Sequence, residues 1–374
     1  MKVADKKRIV EIDLLKGLAI LGTILVHSFV GVEGLISPYV RLLFLLGSMG
    51  CQLFFVLSGF CLAKSWEQGT CNVRRYYVKR FCTIAPTYYV VIVFYLALNW
   101  ILERLDAYVG FEQNRSGWAL TNNFLLLHGI FLEGHNDVVP GGWYIGVAWI
   151  LYLIFPVLIS MLQKVNWHKE ILWSMFPIAF FGAGQLLSRY IMPDILRCFR
   201  MEGIISYRDI LYNLPCFMIG VVVFKYYQAG LLQFGEKGRK TILVAVIVLA
   251  IATMADYYLA LVNHQFISGL FFAAVLILLL NSKKSFLKKG TVKNCLVRMG
   301  ESSYAIYFVH IPFLSYILPV IFRKIIQTTE HGTFIFLILL LAIIPLINWT
   351  GTVAQKGIDY ISRKLLCYEY KKGK

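Results

Sequence analysis

Long apolar runs recur along the whole chain and determine its architecture. They cover residues 10–30, 40–63, 83–103, 143–163, 170–188, 208–227, 241–260, 266–281, 302–322 and 333–350. A helix needs about 20 apolar residues to cross a bilayer, and most of these runs reach that length. The pattern predicts an all-α, polytopic membrane bundle of about ten transmembrane helices.

The composition excludes the other broad classes of protein. Of the 374 residues, 59% are hydrophobic and only 15% are charged, and the mean hydropathy is +0.68. A soluble domain carries about a quarter charged residues, and a disordered chain contains far fewer hydrophobic residues than this one. The eight cysteines form no CxxC pair and mostly fall within or beside the apolar runs. We therefore expect neither a metal site nor a disulfide framework.

The distribution of positive charge predicts the topology. With the N-terminus placed in the cytoplasm, 27 of the 37 lysines and arginines fall on the inner side and nine on the outer side. Cytoplasmic loops of membrane proteins carry such an excess, so both termini are expected inside. The net charge of +17 is then a consequence of topology, and no nucleic-acid partner is expected. Residues 1–374 are expected to form a single transmembrane domain, with a basic cytoplasmic tail from about residue 354 and no appended soluble domain.

The first apolar run contains three ionisable residues, which are costly inside a bilayer. Asp13, Lys16 and His27 lie on one helix face, and the helical rise separates Lys16 from His27 by about 16 Å. One interpretation is structural: Lys16 reaches the inner interface beside Asp13, and His27 caps the outer end of the helix. The other is chemical: His27 is a general base, and Lys16 offers positive charge to an anionic donor from the cytoplasm.

Five segments in chain order carry a resemblance to a known family. They are residues 12–20 followed by His27, residues 54–60 (FFVLSGF), 77–86, 143–156 and 300–310. Together they resemble acyltransferase family three, whose first helix carries an Arg or Lys, ten residues and then a His. The chain departs from the family pattern at Thr83, where a second arginine is usual, and at Ala148, where a glutamate is usual. We assign no role to those two positions.

The resemblance implies an activity and its substrates. Members of the family transfer an acyl group, typically acetyl, from a cytoplasmic coenzyme A thioester to a hydroxyl of a surface or exported glycan or its lipid-linked precursor. The implied donor is acetyl-CoA or another acyl-CoA, the implied partners are a carbohydrate acceptor and membrane lipids, and the implied location is a bacterial cell membrane. His27 is then either a general base or the site of a covalent acyl intermediate, and the sequence leaves both open.

A basic cluster is the candidate site for the nucleotide end of the donor. Lys79 and Arg80 lie at the inner end of the third apolar run, where a guanidinium can hold phosphate oxygens by paired hydrogen bonds. The extended arm of coenzyme A is comparable in length to the gap between Lys16 and His27, so it could lie along that face. The structural alternative is an ordinary cytoplasmic loop, which also carries positive charge.

Five further residues are expected to support the site: Asp13, His310, Tyr304, Trp143 and Tyr152. His310 is expected to be a partner or an acceptor contact, although a lone histidine in a bundle also serves packing. Trp143 and Tyr152 are candidates for stacking on a sugar, with the aromatic belt at the membrane surface as the other explanation for Trp143. His128 and Asn123, in the longest outer segment, are candidates to line an acceptor cleft.

Two other functions compete with the enzyme. The first is a transporter or flippase for a lipid-linked sugar, which would use the intramembrane charges as an ion relay. Such transporters are commonly built from repeated halves with broken helices, and this chain shows no internal repeat. The second is a subunit that only passes acyl groups to a separate partner protein, which would complete the transfer.

Overall fold

The described part of the chain is mostly helical. The computed structural model describes residues 8–69, 72–105, 113–131, 133–165, 171–187, 208–259, 264–281, 290–326 and 331–372, and none of these residues forms a strand. The helices are α1 (Val10–His27), α2 (Pro38–Leu45), α3 (Gly50–Gln68), α4 (Val73–Arg104), α5 (Gly117–Phe124), α6 (Gly142–Lys164), α7 (Ile171–Leu186), α8 (Ile210–Gln228), α9 (Glu236–Leu259), α10 (His264–Leu280), α11 (Thr291–Glu301), α12 (Ser303–Ile311), α13 (Leu318–Ile325) and α14 (Gly332–Lys372). The all-helical architecture is therefore confirmed for the described residues.

Seven helical stretches are long and apolar enough to cross a membrane. They are Pro38–Gln68, Val73–Arg104, Gly142–Lys164, Ile210–Gln228, Glu236–Asp256, Ser303–Ile325 and Gly332–Leu366. Helices also form at the other three predicted positions: α1 carries Glu11, Asp13 and Lys16 within 18 residues, and α7 and α10 have only 16 and 17 residues. A multi-pass membrane protein is thus supported, whereas ten crossings and cytoplasmic termini stay predictions.

Two helices extend beyond the apolar runs that predicted them. Helix α4 begins at Val73 rather than near residue 83, so the basic cluster at 74–80 is helical. Helix α14 continues to Lys372, well beyond residue 350. Lysine, arginine, leucine and glutamine are good helix formers, so these polar segments continue a helix that the apolar residues begin. Hydrophobicity marks where a helix is buried or crosses lipid, and it does not mark where the helix ends.

Contacts within the chain divide it into two compact units. The first unit comprises Met1–Leu15, Cys51–Tyr76 and Tyr144–Lys293, and the second comprises Lys16–Gly50, Tyr77–Trp143 and Asn294–Lys374. In the first unit α8 is the central helix, buried from Asn213 to Phe224, and it packs against α7 and α10. Gly59 lies against the backbone of Phe217, and Gly220 lies against that of Val56. Small residues allow such close helix contacts in a bilayer, where packing drives association.

The second unit contains the contacts that position α1. Gly17 of α1 lies directly against the backbone carbonyl of Leu296 in α11, and a Cβ at Gly17 would overlap that carbonyl. Further along α1, Gly22 lies against the backbone of Gly47. Helix α12 packs on α14. Because α11 and α12 follow one another, α1 runs beside both, and the last residue of α1 reaches the end of α12.

A proline changes the helix that follows α12. Residues Pro312–Ile317 form a π-helical turn between α12 and α13. Proline has no backbone N–H, so Pro312 cannot donate to the carbonyl of Phe308 one turn earlier. The hydroxyl of Tyr95 in α4 donates to that carbonyl instead, at 3.0 Å, from a fully buried position. This hydrogen bond ties α4 to α12 near the level of His310.

Candidate active site

Two histidines from distant parts of the sequence meet inside the second unit. His27 is the last residue of α1, and His310 lies near the end of α12. The Nε2 atom of His310 is 3.2 Å from Nδ1 of His27, and the two ring centroids are 5.2 Å apart with a tilt of 43°. His310 is 1% exposed, whereas His27 is half-buried. Of the pair, His27 is therefore the ring that a substrate can reach.

Hydrogen bonding determines which nitrogen of each ring carries the proton. Nδ1 of His310 is 3.2 Å from the carbonyl oxygen of Ile306. A carbonyl only accepts, so this Nδ1 carries a proton and Nε2 of a neutral His310 is an acceptor. His27 must then donate from its own Nδ1 to that acceptor. A neutral imidazole has one protonated nitrogen, so Nε2 of His27 is the basic one.

Tyr307 connects this pair to the segment before α6. Its ring centroid lies 5.7 Å from that of His310, and its hydroxyl donates to the carbonyl of Gly141 at 2.8 Å. Gly141 has φ +78°, a conformation that glycine adopts without strain. The Gly141 N–H donates to Oδ1 of Asn136 at 2.9 Å. A chain of contacts therefore runs from the segment before α6 to the ring of His310.

His128 and Asn123 do not line a cleft, which corrects the sequence prediction for these residues. Both are fully buried. The His128 ring stacks on Tyr88 at 5.0 Å, its Nε2 contacts the carbonyl of Gly142 at 3.1 Å, and the Tyr88 hydroxyl donates to Oδ1 of Asn123 at 2.6 Å. Burial lowers the pKa of His128 to about 4, because the charged ring would lose its hydration. Asn123 bonds to Tyr88 and to the Gly134 carbonyl, and His128 bonds to the Gly142 carbonyl, so these contacts hold the segment between α5 and α6 in place.

The three candidate donor-binding cations belong to the second unit, on α1 and α4. Lys16 is half-buried and precedes Gly17, the residue that packs on Leu296. Lys79 is exposed and Arg80 is half-buried.

A hydrogen bond fixes the level of α4 relative to α12. The Tyr304 hydroxyl donates to the carbonyl of Ile84 at 3.3 Å, and Ile84 lies one turn after Arg80. Tyr304 therefore lies between the two ends of the unit. The cations lie near α11, and His310 lies two turns beyond Tyr304 on α12. The rise of a helix puts Lys16 and His27 about 16 Å apart along α1.

The remaining predicted positions have packing contacts. Trp143 is 6% exposed at the start of α6, so its ring is not available to stack on a sugar. Thr83, at the departure from the family pattern, donates to the Lys79 carbonyl at 2.8 Å, a local bond within α4. Ala148 is buried at 4% exposure.

Two predicted supporting residues belong to the first unit. Asp13 accepts a 2.7 Å hydrogen bond from Nε of Arg8. Tyr152 is half-buried, and its hydroxyl donates to Oγ of Ser58 at 3.2 Å while its carbonyl accepts from Tyr76 at 2.9 Å.

Sequence reasoning gave no site role to Tyr307, Gly141 or Asn136. Tyr307 is three residues before His310, a spacing that places two side chains on one helix face. That spacing is a usable signal for Tyr307, whereas nothing local points to its partner Gly141. The described residues contain no group of three or more histidine, cysteine, aspartate or glutamate side chains placed to hold a metal.

Comparison with known proteins identifies relatives of the chain. Residues 9–349 match the family model described as an acyltransferase domain. Among curated proteins, the chain is similar to the peptidoglycan O-acetyltransferase OatA of Listeria monocytogenes, with 25% identity over 362 residues. That match covers 88% of this chain and 54% of the relative, so the chain spans about half of the relative's length. No solved structure matches the chain.

Proposed function

Because the chain belongs to this acyltransferase family, as its sequence motifs predicted, we propose that it is a membrane O-acyltransferase that acetylates a cell-envelope glycan. The proposed donor is cytoplasmic acetyl-CoA. The proposed acceptor is a sugar hydroxyl of peptidoglycan, by similarity to the peptidoglycan O-acetyltransferase of Listeria. The proposed location is the bacterial cell membrane, with both termini in the cytoplasm. The three-to-one excess of inner over outer cations supports that orientation.

The geometry of the His27–His310 pair is the observation that carries this proposal. A catalytic base works best when a second group holds its ring in one orientation and one tautomer. His310 does this for His27 across 3.2 Å, and the Ile306 carbonyl does the same for His310. The result is a half-buried imidazole whose Nε2 is the basic nitrogen. An imidazole is basic near neutral pH, so His27 suits the deprotonation of a hydroxyl.

The reaction then follows from the positions of the two substrates. Nε2 of His27 takes the proton from the acceptor hydroxyl while the hydroxyl oxygen attacks the thioester carbonyl carbon. The tetrahedral intermediate collapses with cleavage of the carbon–sulfur bond, and the leaving thiolate takes up the proton from His27. The products are the sugar ester and free coenzyme A. In a covalent variant of this route, Nε2 of His27 attacks the thioester first and the acyl group then passes to the sugar.

The donor enters from the opposite end of the second unit. Lys16 and Arg80 are half-buried and Lys79 is exposed, so the three can offer charge to the phosphates of coenzyme A without being sealed off. Arginine suits this task because its planar guanidinium forms paired hydrogen bonds to phosphate. The arm of coenzyme A would then extend along α1 to His27. Thr83 carries no charge, so Arg80 would bear more of the phosphate contact here.

Reconstituted protein tests the proposal directly. The purified protein in lipid vesicles is given radiolabelled acetyl-CoA and an N-acetylglucosamine tetrasaccharide, and ester formation is followed by mass spectrometry. We expect wild-type protein to form the ester and His27→Ala to reduce the rate by at least about 100-fold, the scale of a positioned general base. His331→Ala is the matched control, because His331 is exposed and outside the pair.

Each other outcome has a defined meaning. If His27→Ala transfers acetyl at the wild-type rate, the assignment of His27 is wrong. Label retained on the protein in the absence of acceptor, and lost in His27→Ala, identifies the covalent route. If acetyl-CoA is consumed only when a second envelope protein is added, the chain passes acyl groups to a partner. Movement of a lipid-linked sugar across the vesicle without ester formation would establish the transporter instead.

A further inference from the structure

The outer end of the second unit holds more positive charge than topology requires. Outer loops of membrane proteins carry few lysines and arginines, so each outer cation calls for an explanation. Two of them have one: Arg115 forms an ion pair with Glu103 at 2.7 Å, and Arg104 lies over the Trp100 ring at 5.0 Å. Arg41 also lies over a ring, that of Phe29 at 5.9 Å, but Arg41 and Arg323 differ from the other two in that both bond to backbone carbonyls of one segment.

Both arginines bind the short segment 28–36, which follows His27 directly. Nη1 of Arg41 donates to the carbonyl of Glu33 at 3.2 Å, and Nη2 of Arg323 donates to the carbonyl of Gly31 at 2.7 Å. Neither arginine pairs with a carboxylate in the part of the chain that the structure describes. The Glu33 carboxylate instead accepts from the Gly31 N–H at 3.0 Å. Among the described residues, no carboxylate therefore neutralises either guanidinium in an ion pair.

The coiled backbone of the segment keeps the contact point of Arg323 within a few residues of His27. The Val30 N–H bonds the His27 carbonyl at 3.4 Å, and the Val32 N–H bonds the Phe29 carbonyl at 3.1 Å, so the backbone is coiled rather than extended. At 1.5–2.0 Å per residue, four coiled residues advance roughly 6–8 Å. Gly31, whose carbonyl accepts the hydrogen bond from Arg323, thus lies about the length of one sugar residue along the backbone from His27.

Holding the segment in place does not use the hydrogen-bonding capacity of these arginines. A guanidinium has five N–H donors, and each arginine uses one of them in its bond to the segment. Nε of Arg41 is buried and has no hydrogen-bond partner among the described residues. Arg323 is exposed, and the exposed Lys324 follows it. The carbonyl contacts thus fix the two groups while leaving donors for an oxyanion.

We propose that Arg41 and Arg323 form a binding site for a carboxylate carried by the acceptor glycan, on the sugar next to the one that is acylated. This inference rests on the proposed function, since it places the acceptor beside His27. Carboxylate geometry matches the paired donors of a guanidinium. The site orients the glycan so that one hydroxyl faces Nε2 of His27. It also favours acidic over neutral glycans as acceptors.

Two tetrasaccharides, without and with lactyl carboxylates, test this inference, and the arginine variants separate the charge of the lactyl group from its size. One contains N-acetylglucosamine alone, and the other alternates N-acetylglucosamine with N-acetylmuramic acid, which adds lactyl carboxylates. Their affinities are measured for the full-length protein in phosphatidylcholine nanodiscs. We expect wild-type protein to bind the acidic glycan at least about tenfold more tightly, and Arg41→Gln or Arg323→Gln each to lower that ratio by roughly tenfold. Arg41→Lys, which keeps the charge but loses the paired donors, should lie between.

Controls separate this site from the fold, the lipid and the reaction. Arg104→Gln removes an outer cation that does not touch segment 28–36, and it should leave the ratio unchanged. Equal wild-type affinity for the two glycans, or equal loss of both in the arginine variants, would refute the site. A preference that appears only when phosphatidylglycerol is added would assign the arginines to lipid and also refute it. Acetyl transfer is scored separately: an arginine-dependent preference without any transfer upholds the site and refutes the proposed function.

Discussion

Replacement of His310 tests the central feature of the site. His310 is buried, and its proposed role is to accept a hydrogen bond from Nδ1 of His27 over 3.2 Å. Leucine at this position removes the acceptor and fills a similar volume. Glutamine keeps an acceptor, because its amide oxygen reaches about as far as Nε2 of histidine. The two variants therefore separate the hydrogen bond from the space that the side chain fills.

The expected magnitude follows from the loss of that orientation. Loss of a group that orients a catalytic or metal-bound histidine typically costs 10- to 100-fold, which equals about 1.4–2.7 kcal/mol of transition-state free energy. We therefore expect His310→Leu to lower kcat by roughly 10- to 100-fold, with KM for acetyl-CoA unchanged, and His310→Gln to stay within roughly tenfold of wild type. Initial rates of ester formation in vesicles measure both constants.

Stability provides the control for this comparison. His310 is 1% exposed, so a general packing defect would lower the unfolding temperature as well as the rate. We expect the apparent Tm of His310→Leu in detergent to stay near that of wild type, since leucine replaces a buried polar group. Wild-type kcat in His310→Leu would refute the reasoning. Equal loss of rate in the leucine and glutamine variants, together with a matching fall in Tm, would make His310 a packing residue.

Three further predictions concern the contacts around the pair. Tyr307→Phe removes the 2.8 Å hydrogen bond to Gly141 and keeps the aromatic ring beside His310. We expect the free energy of unfolding to fall by about 1–3 kcal/mol and kcat to fall several-fold. An unchanged kcat would show that the bond does not position the His310 ring. Gly17→Ala should cost about 1–3 kcal/mol because its Cβ would overlap a backbone carbonyl, whereas Gly34→Ala, where a Cβ meets nothing within 4 Å, is the control in the same thermal assay. Burial lowers the pKa of His128 from 6.5 to about 4, so the unfolded chain binds more protons than the folded chain between these pH values. The free energy of unfolding therefore falls by roughly 3 kcal/mol as pH drops through that window. His128→Gln should show a smaller fall between pH 7 and pH 4.5, and an identical fall would contradict the assignment.

The sequence determined the class of the protein and the location of its helices. Apolar runs predicted a helix at ten positions, and a helix is present at each of them. This succeeds because a bilayer forces backbone polar groups to pair within a helix, so hydrophobicity and structure are linked locally. The spacing of Lys16 and His27, with the motifs at 54–60 and 300–310, was also enough to indicate the family. The ends of α4 and α14 were not predictable from apolarity, because polar helix formers extend both.

Only the tertiary structure decided which side chains meet. His27 and His310 are 283 residues apart, and the helical period predicts the face on which each lies but not the helix that the face contacts. That choice depends on close approaches such as Gly17 against Leu296, which set the position of α1 beside α11 and α12. The same limit explains why His128 and Asn123 were expected in a cleft. Polar residues between two apolar runs suggest exposure. Only the packed structure shows that Asn123 and His128 instead bond to Tyr88 and to neighbouring backbone carbonyls, away from solvent.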